Sequence, residues 1–431
     1  MALPQDVVEA IDRQVDALRD SLVEQTSQLV RIPTVNPYSG DSSAGRETEG
    51  QRYMAGLLQK MGAKVRQIQV PDDVFARCNV IGPTPRDYKD RFNVAGEFAF
   101  GSGGKSVLLN CHMDTVGTEG YQGNPYGGEV LDGKIFGRGS TDSKGNLMVG
   151  LFAIEALRQA GVPLTGRVIL ESVVDEECNG SGGGTLANRL AGINTDACIC
   201  LDGAGLYPCI GCNGVATAAV DVFGRAGHAA TGAVNAIDKA VQVKLSIDQM
   251  ARQREAMQPK QLMNLGIFRA GTLPAVVPHQ AHLEYNINYA LSEAQAAKDA
   301  GKGWGAEWVR QQFELAVQAP AKDDPWLAEH PSKVLWIKDL YPFLTSVDQP
   351  IVQAARLAYQ TVLRQDRQPA PMGAWFDGAH IAIYAGIPTV GMGAGTMAAA
   401  HTSLEHISID DMVADTKAVA LAIYAFLMNA A

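Results

Sequence analysis

VLLNCHMDTVGTEGYQGNPYGGEVLDGKIFGRGSTDSKG, residues 107–145, opens on an apolar run, Val107 to Asn110, that predicts a buried strand. His112-Met113-Asp114 follows directly at its C-terminal end, the position at which open α/β sheets bind their ligands. In His-x-Asp the imidazole can ligate a metal through one ring nitrogen while a nearby carboxylate accepts the other N–H, which fixes the tautomer and raises basicity. Downstream, Gly137 to Gly145 forms a glycine-rich turn that carries a second carboxylate, Asp142, and a helical pattern runs from Asn146 to Ala160. Taken singly, a histidine after a strand is ordinarily just hydrogen-bonded and a glycine-rich turn is only a turn. What lifts these residues above that reading is the order and company of further acids and histidines.

Outward from this stretch, Val168 to Val174 (VILESVV) is another strand-like run, and it ends in Asp175-Glu176-Glu177 ahead of a row of glycines. Carboxylates placed between a β run and glycines do not describe a solvated helix face. Ala197 to Leu201 (ACICL) is a third buried run and stops at Asp202, while Ile387 to Met392 leads through small residues to His401-Thr402-Ser403-Leu404-Glu405-His406. Strand-like runs that end in acids and histidines fit an open α/β sheet, which binds ligands at its strand ends.

In this order the motifs CHMDTVG, GRGSTDSKG, DEECNGSGGG, GRAGHAATGAVNAIDKA and HTSLEHISIDD, with RIPTVNP near the N-terminus, resemble the dinuclear-zinc amidohydrolase and exopeptidase family. That family includes acetylornithine deacetylase, succinyl-diaminopimelate desuccinylase, aminoacylase and glutamate carboxypeptidase. The resemblance covers nearly the whole chain. It implies a zinc-aminopeptidase-like catalytic domain, with a mixed, mostly parallel sheet flanked by helices, and an inserted α+β lid and dimerisation domain. It implies two divalent ions, zinc with cobalt or manganese as alternatives, bridged by Asp142, one also held by His112 and Asp202 and the other by Glu177 and His401. Such a set of nitrogen and oxygen donors suits zinc and leaves room for water. Glu176 would be the general base that takes a proton from the water activated by the ions and returns it to the leaving nitrogen. Asp114 would orient His112, and His228 would donate a hydrogen bond to the oxyanion across the interface of a homodimer.

One position departs from the family. Many relatives place an arginine near the end of the lid strand that follows Val277-Pro278, where it binds the substrate carboxylate; this chain has Asn286, Ile287 and Asn288 there. An amide cannot replace a bidentate guanidinium without losing the charge pairing.

The 431 residues suggest two domains. A formal charge of −10 argues against nucleic-acid and anionic-membrane partners, and a small molecule is the expected partner. The N-terminus has neither a basic n-region nor an apolar h-region, and no apolar run reaches membrane-spanning length, so a cytoplasmic protein is expected. Its seven cysteines, Cys209-x-x-Cys212 included, then read as reduced, mostly buried thiols.

Apolar spacing predicts helices over Pro4 to Arg31 and Arg46 to Met61, and the turn-rich stretch from Pro83 to Gly104 reads as a surface excursion without function. After Asp202, Val215 to Phe223 predicts a strand, Gly224 to Ala230 a turn, Ala233 to Ala251 a helix, Leu262 to Phe268 and Ala281 to Tyr289 strands, and Glu293 to Val317 a helix. The expected division is a catalytic domain over 1–212 and 346–431 with the lid over 213–345. His279, His282, His330, His380 and His406 read as ordinary, and Asp377 as structural.

The expected activity is hydrolysis of the C–N amide bond of an N-acyl amino acid or dipeptide-like substrate. A hydrolytic deaminase or amidohydrolase acting on an activated aromatic amine or carbamoyl centre is the alternative raised by the missing arginine. A silent, metal-binding relative is the third class, and loss of Glu176 or of a ligand would have marked it.

Overall fold

A computed structural model describes residues 3–41, 45, 47–178, 180–228, 232–257 and 263–429. The expected starts of one helix at Arg46 and one strand at Leu262, together with Asn179 of the glycine row and Ala229 and Ala230 of the turn, lie outside the described residues. The chain divides into two compact units, one of residues 1–78, 85–211 and 344–431, the other of 79–84 and 212–343.

The larger unit is built on a mixed nine-stranded sheet among the described residues. From one edge its order begins Lys64–Gln69, Phe92–Phe100, Gly166–Val173, Ser106–His112, Ala197–Cys200, Thr389–Gly391, Cys209–Cys212. The four strands from Gly166–Val173 to Thr389–Gly391 run parallel, and the flanking pairs are antiparallel. Ser106–His112 is buried at every residue, as a strand covered on both faces must be, hence its unbroken apolar run. The helices Gln5–Val30, Gly145–Gln159, Pro350–Leu363 and Ile409–Leu427 pack on one another and bury Ile11, Leu22, Leu147, Ile154, Leu421 and Ile423 in one core with the strands. Each such aliphatic side chain contributes about 1.5–3 kcal/mol by leaving water.

The stretch read as a surface excursion, Pro83 to Gly104, is corrected. Phe92–Phe100 is an inner strand paired on both sides, and Arg86, Tyr88 and Arg91 are buried. Its sequence, FNVAGEFAF, hides the strand signal behind small residues, and Gly96 is small because the Leu58 side chain lies directly over it.

The smaller unit has a four-stranded antiparallel sheet in the order Met263–Ala270, Gln280–Tyr289, Gly214–Phe223, Lys333–Leu340. The helices Ala236–Met257 and Glu307–Gln318 cover one face of it. The helix expected from Glu293 to Val317 is two helices, Leu291–Asp299 and Glu307–Gln318. Gly301, Gly303 and Gly305 between them have φ of 72°, 86° and 146°, conformations that end an α-helix and favour glycine. Among the described residues no helix is long and apolar enough to cross a membrane.

Candidate active site

The parallel register brings the acids and histidines of the larger unit to one level. His112 ends its strand opposite Val173, two residues before Asp175, while Asn110 lies opposite Cys200, two residues before Asp202. Glu177 is therefore delivered on one side of His112 and Asp202 on the other. Asp142 comes from the turn ahead of the buried helix Gly145–Gln159, and His401 from the loop after Thr389–Gly391. His112 Nε2 lies 3.0 Å from Asp142 Oδ1 and 3.6 Å from Asp202 Oδ1. His401 Nε2 lies 3.1 Å from Asp142 Oδ2 and 2.8 Å from Glu177 Oε1. One carboxylate thus turns each oxygen toward a different cluster, His112/Asp142/Asp202 and Asp142/Glu177/His401, each with donor atoms within 4.8 Å of one another. Two three-donor sets of nitrogen and oxygen suit zinc and leave a coordination position for water in each.

A further layer fixes these groups. Asp114, fully buried, accepts the main-chain N–H of Glu176 (3.1 Å) and of Glu177 (2.9 Å) and the Asn36 amide (2.8 Å). Its main-chain carbonyl is the closest partner of His112 Nδ1, at 2.9 Å, with the carboxylate 3.7 Å away; orientation of the imidazole runs through the backbone more than through the acid the sequence suggests. Glu405, also fully buried, accepts the N–H groups of Thr141 and Asp142 at 3.1 and 3.2 Å and an ion pair from Arg138 at 2.6 Å. Lys144 reaches the Ile32 carbonyl at 2.8 Å. Gly395, at φ 81°, passes so close to Thr141 that a Cβ would strike its hydroxyl.

The family described as Peptidase family M20/M25/M40 matches residues 108–425. The chain belongs to that family. Along the sequence it is similar to an N-formyl-4-amino-5-aminomethyl-2-methylpyrimidine deformylase of Halalkalibacterium halodurans, 25% identical and covering 97% of each chain. It is 29% identical to carboxypeptidase G2 of a Pseudomonas species over 47% of this chain and 48% of that one. In fold it is similar to the di-peptidase Dug1p of Saccharomyces cerevisiae, with a TM-score of 0.73 at 15% identity and 99% of both chains covered. As a member of family M20 the protein is a hydrolase of the deacylase and exopeptidase type, acting on the C–N amide bonds of small substrates. Family M20 enzymes are metal-dependent, and the two donor sets are this chain's candidate ligands.

The electrostatics of this M20 site follow from crowding acids out of water. Burial pushes Glu176 well above the usual carboxylate range, with Asp202, Glu177 and Asp377 adding to it. Burial also lifts Glu177 to about 7, Asp142 reinforcing it against His401. Hydrogen bonds that His401 donates to the Asp142 and Glu177 carboxylates raise it to about 11. Burial opposes the charge on His112, but Asp202, Asp114 and Asp142 together raise it well above the ordinary imidazole value. A cation held among these carboxylates would offset the charge that burial disfavours.

The cleft over these residues is lined by Glu176, Glu177, Asp202 and His401 on its polar side, and by Met372, Trp375 and Met397 on its apolar side. Among the described residues no lysine or arginine lines it. His228 belongs to the smaller unit, where it is exposed on a two-residue strand, Gly227–His228, paired with Val276–Val277. Asn286 and Asn288 alternate with buried Ile287 on the strand Gln280–Tyr289. Asp377 accepts a hydrogen bond from Thr185 at 2.7 Å, and burial raises it to about 7. The sequence reading left Asn36, Asp175 and Glu405 without roles although each stands inside a quoted motif; Arg138 was likewise within reach, but Arg86 and Arg91 carried no signal.

Proposed function

We propose that the protein binds two divalent cations, zinc first among them, and removes a small acyl group of the formyl class from the amine of an uncharged, aminopyrimidine-like heterocycle. The observation that carries the two-ion reading is the split of Asp142, whose two oxygens face different donor sets. His112 and Asp202 complete one site, Glu177 and His401 the other. Bound there, the cations supply Lewis acidity and lower the pKa of water. Glu176, half-buried at the cleft and raised by its surroundings, takes the proton of the attacking water and carries it to the leaving nitrogen. Asp114 holds the turn that aims Glu176 and keeps His112 in place.

The substrate class rests on three facts that agree. The cleft offers thioether and indole surfaces and, among the described residues, no lysine or arginine. Asn286, Ile287 and Asn288 stand in the part of the lid strand where the family resemblance implies a carboxylate-binding arginine. The matches along nearly the whole chain include two deformylases of an N-formyl aminomethylpyrimidine. A planar, carboxylate-free amine fits all three.

The active form is a homodimer in which His228 of one copy donates to the oxyanion in the other. Its support is the exposed His228 and the open edge strand Met263–Ala270, near which Phe268, Val241 and Leu245 are exposed. Seven free thiols suit the reducing cytoplasm.

The test pairs elemental analysis with release of amine from N-formyl aminomethylpyrimidines, N-acetyl amino acids and dipeptides. About two metals per chain and preference for the formyl pyrimidine are expected. Faster turnover of an N-acetyl amino acid would overturn the substrate class and leave the metal site standing.

A further inference from the structure

The catalytic turn Asp175-Glu176-Glu177 is held from behind by a part of the chain in which the sequence shows no motif. Asp175 adopts φ 67°, a left-handed conformation that few non-glycine residues take. Its carboxylate is fully buried and accepts four hydrogen bonds. Oδ2 takes one from Tyr88 Oη (2.6 Å) and one from Arg86 Nε (3.2 Å); Oδ1 takes one from Arg91 Nη2 (2.9 Å) and one from Asn36 Nδ2 (3.0 Å). Arg91 is itself fully buried and pairs with Glu47, so two guanidinium groups face two carboxylates and the cluster is balanced in charge. Arg86 also donates to the Cys178 carbonyl at 3.4 Å, on the far side of the turn, and stacks on the Tyr38 ring at 3.7 Å. Asn36 joins this cluster to the site, since the same amide nitrogen reaches Asp114 at 2.8 Å and the Glu177 carbonyl at 3.2 Å.

We propose that Arg86 is a positioning residue for the metal site: by gripping Asp175 and the Cys178 carbonyl it holds the turn in the one conformation that seats the Glu176 and Glu177 amides on Asp114. It touches no substrate and supplies no ligand. Without it the left-handed turn loses a charged partner on each side, the two amides drift from Asp114, and Glu177 and His112 meet a metal less well aligned. The inference rests on the metal-ligand reading given above, and its test is chosen to be read without substrate.

The measurement is the zinc affinity of the full-length protein by chelator competition, with kcat and KM measured alongside. Arg86→Met is expected to weaken zinc binding about tenfold, the lower end of what loss of such an outer partner costs, and to lower kcat with KM changed little. Arg86→Lys should recover part of both. If Arg86→Met proves unstable, Asp175→Asn keeps shape and acceptor and should weaken zinc in the same way. The double variant should be no worse than the weaker single one, because both act through one contact. Wild-type zinc affinity and kcat in a folded Arg86→Met protein would overturn the proposal and leave Arg86 a purely structural residue. If the wild type binds zinc but cleaves no formyl substrate, the substrate reading fails and the affinity series still decides the role of Arg86.

Discussion

The strand-end loops of the larger unit and the outer edge of the smaller one treat their exposed chemistry in opposite ways. Around the site, Asp114, Asp175 and Glu405 are fully buried and each accepts at least three hydrogen bonds from neighbours fixed by the sheet. A buried charge costs several kcal/mol unless it is paired in this manner, so these loops are held to one arrangement before any ligand arrives. At the smaller unit's edge, Met263–Ala270 has one strand neighbour among the described residues, and Phe268, Val241 and Leu245 are 40, 41 and 58% exposed. An open strand edge is a template for pairing with another chain, and clustered exposed apolar side chains mark interaction surfaces. The first region pairs its buried charges within one chain; the second offers the edge and the apolar side chains on which the proposed dimer rests.

Five measurements would break or sharpen that contrast. The largest effect is expected within the first region, where Glu176→Gln should lower kcat by about 10⁴-fold with the metal content measured by elemental analysis unchanged. Loss of metal would mean that base and ligand have been exchanged. His228→Ala should cost about 10²-fold in kcat, and mixing it with Glu176→Gln should restore activity through hybrid dimers; no recovery would place His228 outside the partner's site. Leu245→Asp, at the outer edge, should yield monomers by light scattering and an activity close to that of His228→Ala. A monomer with full activity would show that one chain suffices. Asn288→Arg should gain turnover of N-formyl amino acids, with KM lowered about tenfold by the restored charge pair.

The smallest effect concerns His282, held between Asp221 at 2.8 Å and Glu284 at 3.1 Å. The Asp221 hydrogen bond leads the causes that raise its pKa. A raised imidazole value stabilises the fold fully below about pH 6.5 and loses that contribution as pH rises through the raised value. The melting temperature of the wild type should therefore exceed that of His282→Gln at pH 6, and the gap should close toward pH 9. With a third of the ring exposed, the gap is small.

What the sequence made legible follows the same division. His112, Asp142, Glu177, Asp202 and His401 were readable because each follows an apolar run, and strand ends are where a parallel sheet gathers its side chains. The structure brings these five together. Arg86 and Arg91 were not readable, since their partners Asp175 and Glu47 lie 89 and 44 positions away and pairing at such separation leaves no local pattern. Phe92–Phe100 escaped because glycine and alanine make room for the Leu58 side chain and thin out the apolar alternation that marks a strand. The helix from Glu293 to Val317 was drawn too long because helical spacing resumes after the three glycines that interrupt it.

The strand Thr389–Gly391 lies between Ala197–Cys200 and Cys209–Cys212 in the sheet, and this sets an order of events during synthesis. A chain still growing on the ribosome can make the smaller unit once residue 343 has emerged, because residues 79–84 are already out. The central sheet must wait for its last inner strand with two neighbours held apart and their edges unpaired. Such half-built sheets are prone to aggregation, so slow translation near the C-terminus should lower the soluble yield of the whole chain.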